Sequence, residues 1–114
     1  AHCCRAATMT ARLLLVVASL VPLALASVPV DIYVMSKCPD AAACESAFVP
    51  ALKKLGDAAK VTFHYIGSGK DGNFNCMHGP EECVGDIQQL CVQASATRDQ
   101  LLDFVLCQDN SQID

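Results

Sequence analysis

Residues 30–44, VDIYVMSKCPDAAAC, decide the fold because they pass from a strand pattern to a helix pattern within a few positions. In the first half, Val30, Ile32 and Val34 alternate with an aspartate and a tyrosine, and this alternation predicts a β-strand over residues 30–35. The second half begins with a proline and continues into alanines, as the first turn of a helix often does.

The pattern that follows extends this strand and helix into a larger unit. Residues 41–60 carry Phe48, Leu52 and Leu55 at helical spacing, with lysines on the other side, and the helix is expected to end at the Gly-Asp pair near its C-terminal end. Residues 61–66, VTFHYI, alternate again and predict a second strand. A strand, a long helix and a strand in this order predict a right-handed βαβ unit and an α/β fold class.

The rest of the chain is predicted to be a loop and two helices. Residues 67–75, GSGKDGNFN, are rich in turn-forming residues and are predicted to be loop. Thr97 and Gln100 form a capping box for a last helix over residues 98–108. Between them, residues 84–94 predict a helix from five residues at helical spacing: Val84, Ile87, Leu90, Cys91 and Ala94.

The N-terminal segment is typical of a secretory signal. Residues 13–26, LLLVVASLVPLALA, form an uncharged run that follows Arg12 and ends in Ala-Leu-Ala, which predicts a signal peptide over residues 9–26. A retained N-terminal anchor is the alternative. Residues 1–8, AHCCRAAT, fit no part of a signal and are expected to be a non-native or upstream-translated extension, so the mature domain is expected to span residues 27–114.

The charge of the chain argues against nucleic-acid binding. The mature part would contain all 12 acidic residues and six basic ones, which gives a net charge of −6, and no basic cluster interleaved with aromatic residues is present. This balance favours a soluble protein without lasting membrane association once the signal is removed.

The mature part contains an even number of cysteines, which in a short chain behind a signal indicates disulfides and an oxidising compartment. Six thiols allow 15 pairings, among which the residues alone do not choose. These cysteines are Cys38, Cys44, Cys76, Cys83, Cys91 and Cys107.

The first two of these cysteines form a redox pair or a structural bridge, or Cys38 acts alone. Cys38 stands where a strand leads into a helix, and the N–H groups and dipole of a helix N-terminus favour a thiolate. Cys44 shares the predicted apolar face of Phe48 and Leu52, so its thiol is expected to point inward. Because six positions along a helix separate two residues by roughly 9 Å, a Cys38–Cys44 bond requires the PDAA segment to be irregular.

A second motif, CMHGPEECVGDIQQLC at residues 76–91, allows two interpretations. Cys76, Cys83, Cys91 and His78 match a zinc ligand set, which predicts stoichiometric zinc, but their spacing differs from the common zinc fingers. Disulfides are favoured in a secreted chain, and His78 is interpreted first as a turn residue that could also relay protons to a nearby thiol.

This motif resembles the signature of the gamma-interferon-inducible lysosomal thiol reductases, Cys-Gln-His-Gly-x-x-Glu-Cys-x-x-Asn-x-x-x-x-Cys, and "CPDAxxC" is similar to fungal or other non-animal members. Met77 replaces the glutamine of the signature, and Asp86 replaces its asparagine. The signature positions that match are Cys76, His78, Gly79, Glu82, Cys83 and Cys91.

The resemblance implies a thioredoxin-like fold, in which a βαβ unit carries a helical disulfide-bonded insertion. It further implies an enzyme of the lysosome, vacuole or extracellular space that reduces protein disulfides, with Cys38 attacking, Cys44 resolving and no bound cofactor. The implied partners are disulfide-bonded proteins. Nothing after Cys107 can supply the C-terminal β-hairpin of that fold, so the chain is expected to be truncated.

Two questions stay open at this level. Cys76 and Cys91, at the two ends of the signature, are the preferred structural pair. Cys83 and Cys91 on one straight helix would lie about 12 Å apart, too far to bond. The alternative to an enzyme is a non-enzymatic secreted domain, an inactive fragment or a binding protein, in which all six mature cysteines are locked in disulfides.

Overall fold

The computed structural model describes residues 26–111, so the predicted extension at 1–8 and nearly all of the predicted signal peptide lie outside the described residues. None of the helices in the described part is long and apolar enough to cross a membrane. In chain order the elements are β1 (Val28–Val34), α1 (Pro39–Leu55), a 3-10 turn (Gly56–Ala58), β2 (Ala59–Tyr65), β3 (Ser68–Lys70), β4 (Asn73–Asn75), α2 (Pro80–Ser95) and α3 (Arg98–Ser111).

The predicted pair of parallel strands is confirmed. β1 and β2 pair in parallel along their whole length, from Val28 opposite Ala59 to Val34 opposite Tyr65. The alternation in β1 holds, since the side chain of Val34 is buried while that of Tyr33 is exposed. A mixed α/β architecture with a short sheet follows from this pairing.

The core lies where α1 and α3 pack together beside β2. Its fully buried members on the helices include Leu52 of α1 and Leu102 of α3, and Phe63 of β2 fills the space between them. The capping box predicted for α3 is confirmed, because Gln100 Oε1 accepts from the Thr97 amide at 2.9 Å and the Gln100 amide donates to Thr97 Oγ1 at 3.4 Å.

The segment predicted to be a loop contains a β-hairpin. β3 and β4 pair antiparallel across Asp71 and Gly72, and both of these residues have positive φ, 55° and 84°. An Asp-Gly pair is the sequence that a tight hairpin turn favours. The prediction of a loop was wrong because the flanking residues lack the alternating apolar pattern of ordinary strands.

The apolar stripe of α2 lies on the exposed side of the helix, contrary to the usual meaning of such a stripe. Val84, Ile87 and Leu90 are each between 44% and 54% exposed, whereas the buried residues of α2 are Glu82, Gly85, Asp86 and Gln89. α2 thus packs through its polar side, and hydrogen bonds replace apolar contacts at this junction.

The junction of α2 with the sheet closes one edge of β2. The Phe63 amide donates to Gln93 Oε1 at 2.7 Å, and Gln93 Nε2 donates to the Phe63 carbonyl at 3.1 Å. The side-chain amide thereby satisfies the two backbone groups that a neighbouring strand would otherwise bind.

Candidate functional site

The first candidate residue, Cys38, lies at the N-cap of α1, just after the turn that follows β1. Its amide donates to the Met35 carbonyl at 3.0 Å, and its carbonyl accepts from the Ala42 amide at 3.0 Å, which is the first hydrogen bond of the helix. Pro39 occupies the first helical position and has no N–H group. Cys38 is half-buried and is not in a disulfide.

An unusual feature of this N-cap is that no side chain accepts a hydrogen bond from the first turn of α1. Ser, Thr, Asp or Asn ordinarily occupies this position and accepts from the second or third amide of the helix. Here the thiol of Cys38 stands at the same position. A thiolate there would receive the free amides and the positive end of the helix dipole.

Cys44 does not point inward, so that prediction was wrong. α1 is helical from Pro39 onward, and its buried face consists of Glu45, Val49 and Leu52, which leaves Cys44 exposed. The helix turns about 100° per residue, so Cys44 lies well to one side of that face. The PDAA segment is helical rather than irregular, and Cys38 and Cys44 are both unpaired.

The disulfide in the described part of the chain joins Cys76 to Cys83, not Cys76 to Cys91 as the sequence reasoning preferred. A turn at Gly79, with φ 95°, lets Pro80 begin α2, so that Cys83 in the first turn of the helix faces back to Cys76 with a Cα–Cα distance of 5.6 Å. Cys91 lies two helical turns further along and is exposed.

The other two candidates for structural disulfides are unpaired. Cys91 in α2 and Cys107 in α3 both have exposed thiols within the described residues. Neither is brought to the Cys76–Cys83 bridge.

The remaining signature residues form a polar contact at the start of α2. His78 Nδ1 contacts Glu82 Oε2, and Glu82 is fully buried. This contact ties the turn containing His78 to the first turn of the helix.

The predicted zinc set does not assemble. In the described residues, the group whose donor atoms lie within 4.8 Å of one another consists of Cys76, Glu82 and Asp86, without Cys91. Cys76 is oxidised in this group, and a disulfide sulfur is not the thiolate that zinc binds. The donor set in its present state does not fit zinc.

Sequence reasoning missed a buried acidic pair between α1 and α3. Glu45 and Asp109 are 4% and 2% exposed, and Glu45 Oε1 and both Asp109 oxygens find no hydrogen-bond partner in the described part of the chain. Burial, together with the negative charge of Asp109, raises the pKa of Glu45 from 4.5 to about 8. The signal was present in the sequence, since Glu45 stands at helical spacing from Val49 and Leu52.

The hydroxyl of Tyr65 lies near the same acids and donates to Gln89 Oε1 at 2.6 Å. Burial raises the pKa of Tyr65 above its usual 10, and the charges of Glu45, Asp86 and Asp109 add to this effect. Burial also raises the pKa of Asp109. The carboxyls of Glu45, Asp86 and Asp109 are therefore close enough to the Tyr65 hydroxyl to form an acidic polar region in the interior.

The comparisons with known proteins agree on one family. The family model for gamma interferon inducible lysosomal thiol reductase (GILT) matches residues 29–114. The chain is similar to GILT-like protein 1 of Drosophila melanogaster, with 36% identity over 100 residues that cover 72% of this chain and 40% of the relative. No solved structure matches the chain significantly.

The described part thus contains an unpaired cysteine at a helix N-terminus and a disulfide within the signature motif, and the family match covers both. The chain spans about two fifths of the length of the curated relative that it matches. The chain belongs to the gamma interferon inducible lysosomal thiol reductase (GILT) family.

Proposed function

We propose that the chain reduces disulfide bonds in proteins through attack by Cys38. The observation that carries this proposal is the position of Cys38, an unpaired and partly exposed cysteine at an N-cap that lacks a side-chain acceptor. A helix N-terminus offers free first-turn amides to a thiolate, which is the reactive form in thiol–disulfide exchange. Membership of a family of thiol reductases supports the same chemistry.

In the first step, the Cys38 thiolate attacks one sulfur of the substrate disulfide. A Cys38–substrate disulfide forms, the substrate S–S bond breaks, and the departing substrate sulfur leaves as a thiolate that takes a proton from solvent. In the second step, a thiolate of Cys44 attacks Cys38 Sγ and releases the second substrate thiol. The two electrons gained by the substrate come from Cys38 and Cys44, which end as a disulfide.

The second step requires a local change in α1. The two residues are roughly 9 Å apart along a continuous helix, more than a disulfide allows. The first turn must unwind, which breaks the 3.0 Å hydrogen bond from the Ala42 amide to the Cys38 carbonyl. Exposure of Cys44 favours its access to an opened first turn, and a small-molecule thiol in solution would return the pair to the reduced state.

The alternative, a domain whose cysteines are all locked, has less support. Four of the six cysteines of residues 26–111 are unpaired, and they include the one at the helix N-terminus. A small domain that depends on disulfides for its stability has most of its cysteines paired.

We further propose a thioredoxin-like arrangement for the whole protein and a place in an acidic or extracellular compartment. The parallel pair β1–β2 with α1 between them supports the first point. The family description, which names a lysosomal enzyme, and the predicted signal peptide support the second.

The test is reduction of insulin at pH 5 by the full chain with a small-molecule thiol as electron donor. Cys38→Ser should lower the rate to that of the thiol alone. Cys44→Ser should accumulate a mixed disulfide between Cys38 and the substrate, which mass spectrometry would detect. Cys91→Ser is the matched control, because Cys91 is also unpaired and exposed but lies in the middle of a helix.

Equal activity of the wild type and Cys38→Ser would refute the proposal. A trapped adduct at Cys91 instead of Cys38 would move the reactive site to α2. Failure of Cys44→Ser to trap an adduct would remove Cys44 from the mechanism and leave resolution to the external thiol.

A further inference from the structure

Ser36, in the turn that leads to Cys38, is hydrogen-bonded to α2. Ser36 is 4% exposed, its amide donates to Asp86 Oδ1 at 3.0 Å, and its hydroxyl donates to the Glu82 carbonyl at 3.0 Å. Both partners lie 46 or 50 positions away along the chain, so these bonds join two separate parts of the fold.

A glycine allows α2 to come this close. A Cβ at Gly85 would lie 2.5 Å from Ser36 Oγ, closer than real Cβ atoms come, and would make a tight contact of 3.2 Å with Ser36 Cβ. Glu82, Gly85 and Asp86 follow the i, i+3, i+4 spacing and therefore share one side of α2. We call these three residues the Ser36 seat.

The seat is linked to the oxidised part of the signature. Asp86 Oδ2 lies 3.8 Å from Cys76 Sγ, and Cys76 is bonded to Cys83 of the same helical turn that carries Glu82. The disulfide sulfur carries no proton, so the donor to Asp86 among the described residues is the Ser36 amide.

Ser36 is two residues before Cys38, and one hydrogen bond closes the turn that contains it. The Cys38 amide donates to the Met35 carbonyl, so Ser36 and the residue after it are the central residues of a four-residue turn. A fixed Ser36 therefore fixes the direction in which the chain enters α1.

We infer that the Ser36 seat positions Cys38 for attack, with Asp86 acting as a positioning residue through the Ser36 amide. This inference rests on the proposed reductase function. It assigns to Asp86 the acceptance of one specific hydrogen bond, for which an oxygen is needed and a negative charge is not.

This distinction sets the choice of variants. Asp86→Ala leaves the buried amide of Ser36 without an acceptor, whereas Asp86→Asn keeps an oxygen at the same place. Val84→Ala is the matched control, since Val84 lies on the exposed side of the same helical turn.

The experiment measures the alkylation rate of each cysteine in the full chain with iodoacetamide, at pH 5.5 and pH 7, by mass spectrometry. We expect Asp86→Ala to slow Cys38 about tenfold, the factor that corresponds to a lost buried hydrogen bond of about 1.4 kcal/mol. The alkylation rate of Cys38 in Asp86→Asn should stay within about twofold of the wild-type rate, and the rate in Val84→Ala should equal the wild-type rate. Cys91 and Cys107 should react at unchanged rates in every variant.

Three results would overturn the inference. The alkylation rate of Cys38 could be unchanged in Asp86→Ala, or the rates of Cys91 and Cys107 could fall as much as that of Cys38. The third is an equal fall in the Cys38 rate in Asp86→Asn and Asp86→Ala. If Asp86→Ala does not fold, hydrogen exchange at the Ser36 amide of the wild type decides instead, because the inference requires this amide to be bonded to Asp86 Oδ1. Exchange as fast as that of an unbonded amide would overturn the inference.

Insulin reduction by the same samples separates the two proposals. If the wild type reduces no insulin while Asp86→Ala still slows Cys38 alone, the positioning role stands and the reductase function fails. If the wild type reduces insulin and Asp86→Ala does so equally well, the reductase function stands and the positioning role fails.

Discussion

The buried pair of Glu45 and Asp109 predicts that the fold is more stable in acid than at neutral pH. Glu45 is 4% exposed, and its pKa in the folded chain is about 8 instead of 4.5. Burial disfavours its ionisation most, and the negative charge of Asp109 adds to this effect. The folded chain therefore keeps Glu45 protonated at pH values where the unfolded chain has already released that proton.

The sign and size follow from this difference in proton binding. Because the folded pKa is raised, the stabilisation is fully present below pH 4.5 and is lost progressively as the pH rises toward 8. Each pH unit in this window lowers the free energy of unfolding by about 1.4 kcal/mol for one proton. Between pH 4.5 and pH 7 the loss from Glu45 is about 3 kcal/mol, a large share of the roughly 5–15 kcal/mol of a typical domain.

The perturbation that tests this account is Glu45→Gln, which has nearly the same shape and cannot ionise. Urea unfolding followed by circular dichroism at pH 4.5 and pH 7 gives the free energies. At pH 4.5 we expect the variant and the wild type to agree within about 1 kcal/mol, and at pH 7 we expect the variant to be more stable by about 3 kcal/mol. Glu81→Gln, the same change at an exposed position, should alter the free energy of unfolding equally at pH 4.5 and pH 7.

Two results would refute the reasoning. One is a wild-type stability that stays constant from pH 4.5 to pH 7. The other is a Glu45→Gln variant that loses as much stability over this range as the wild type does, since the titrating group would then lie elsewhere. A smaller residual loss in the variant is expected, because burial raises the pKa of Asp109 as well.

Three further changes test the packing. Replacing both Cys76 and Cys83 by serine should lower the free energy of unfolding by about 2–3 kcal/mol, the chain-entropy value for a loop of this length, and urea unfolding with and without a reductant would measure it. Leu102→Ala empties a fully buried position and should cost about 3 kcal/mol in the same assay, where a loss below about 1 kcal/mol would contradict its place in the core. Gln93→Leu leaves the amide and carbonyl of Phe63 unpaired and should cost about 2 kcal/mol, accompanied by faster hydrogen exchange at Phe63; unchanged exchange there would show that the β2 edge does not depend on this side chain.

Local patterns in the sequence predict the first half of the fold well. The alternation around Ile32 follows the burial of apolar side chains, and the predicted helix lies between the two parallel strands in sequence. Of its predicted apolar face, however, Leu52 is buried while Phe48 and Leu55 are exposed. The capping box at Thr97 also needs only neighbours three residues apart. Features that depend on short sequence separations were thus accessible from the residues alone.

The failures share a physical cause, which is polar burial between elements distant in sequence. α2 carries Ile87 and Leu90 on its exposed side and buries Gln89, because its partners are Tyr65 and the neighbouring helix α3 rather than an apolar surface. A hydrophobic period cannot predict such an orientation, since it assumes that the apolar side faces inward. The expectation that Cys44 points inward failed for the same reason, as Glu45 occupies the buried side of α1.

The disulfide depended on a turn whose geometry the spacing of cysteines does not contain. Cys76 reaches Cys83 because Gly79 adopts a positive φ and the helix begins immediately afterwards at Pro80. Cys76 and Cys91 mark the two ends of the signature, but this position in the motif does not make them partners in a disulfide.

The buried acidic pair and the Ser36 seat both bear on α1, the first through its buried face and the second through the turn that precedes it. Glu45 lies on the buried face of α1, seven positions after Cys38, and its carboxyl lies near that of Asp109 on α3. Ionisation of Glu45 at neutral pH lowers the stability of a fold in which α1 packs against α3, and α1 carries at its N-terminus Cys38, the cysteine proposed to attack. Acid therefore stabilises the helix on which the proposed chemistry depends, while the seat on α2 holds the entrance to that helix through a hydrogen bond to Ser36. The raised pKa of Glu45 thus agrees with the proposed acidic compartment, since the fold is most stable where this carboxyl is protonated.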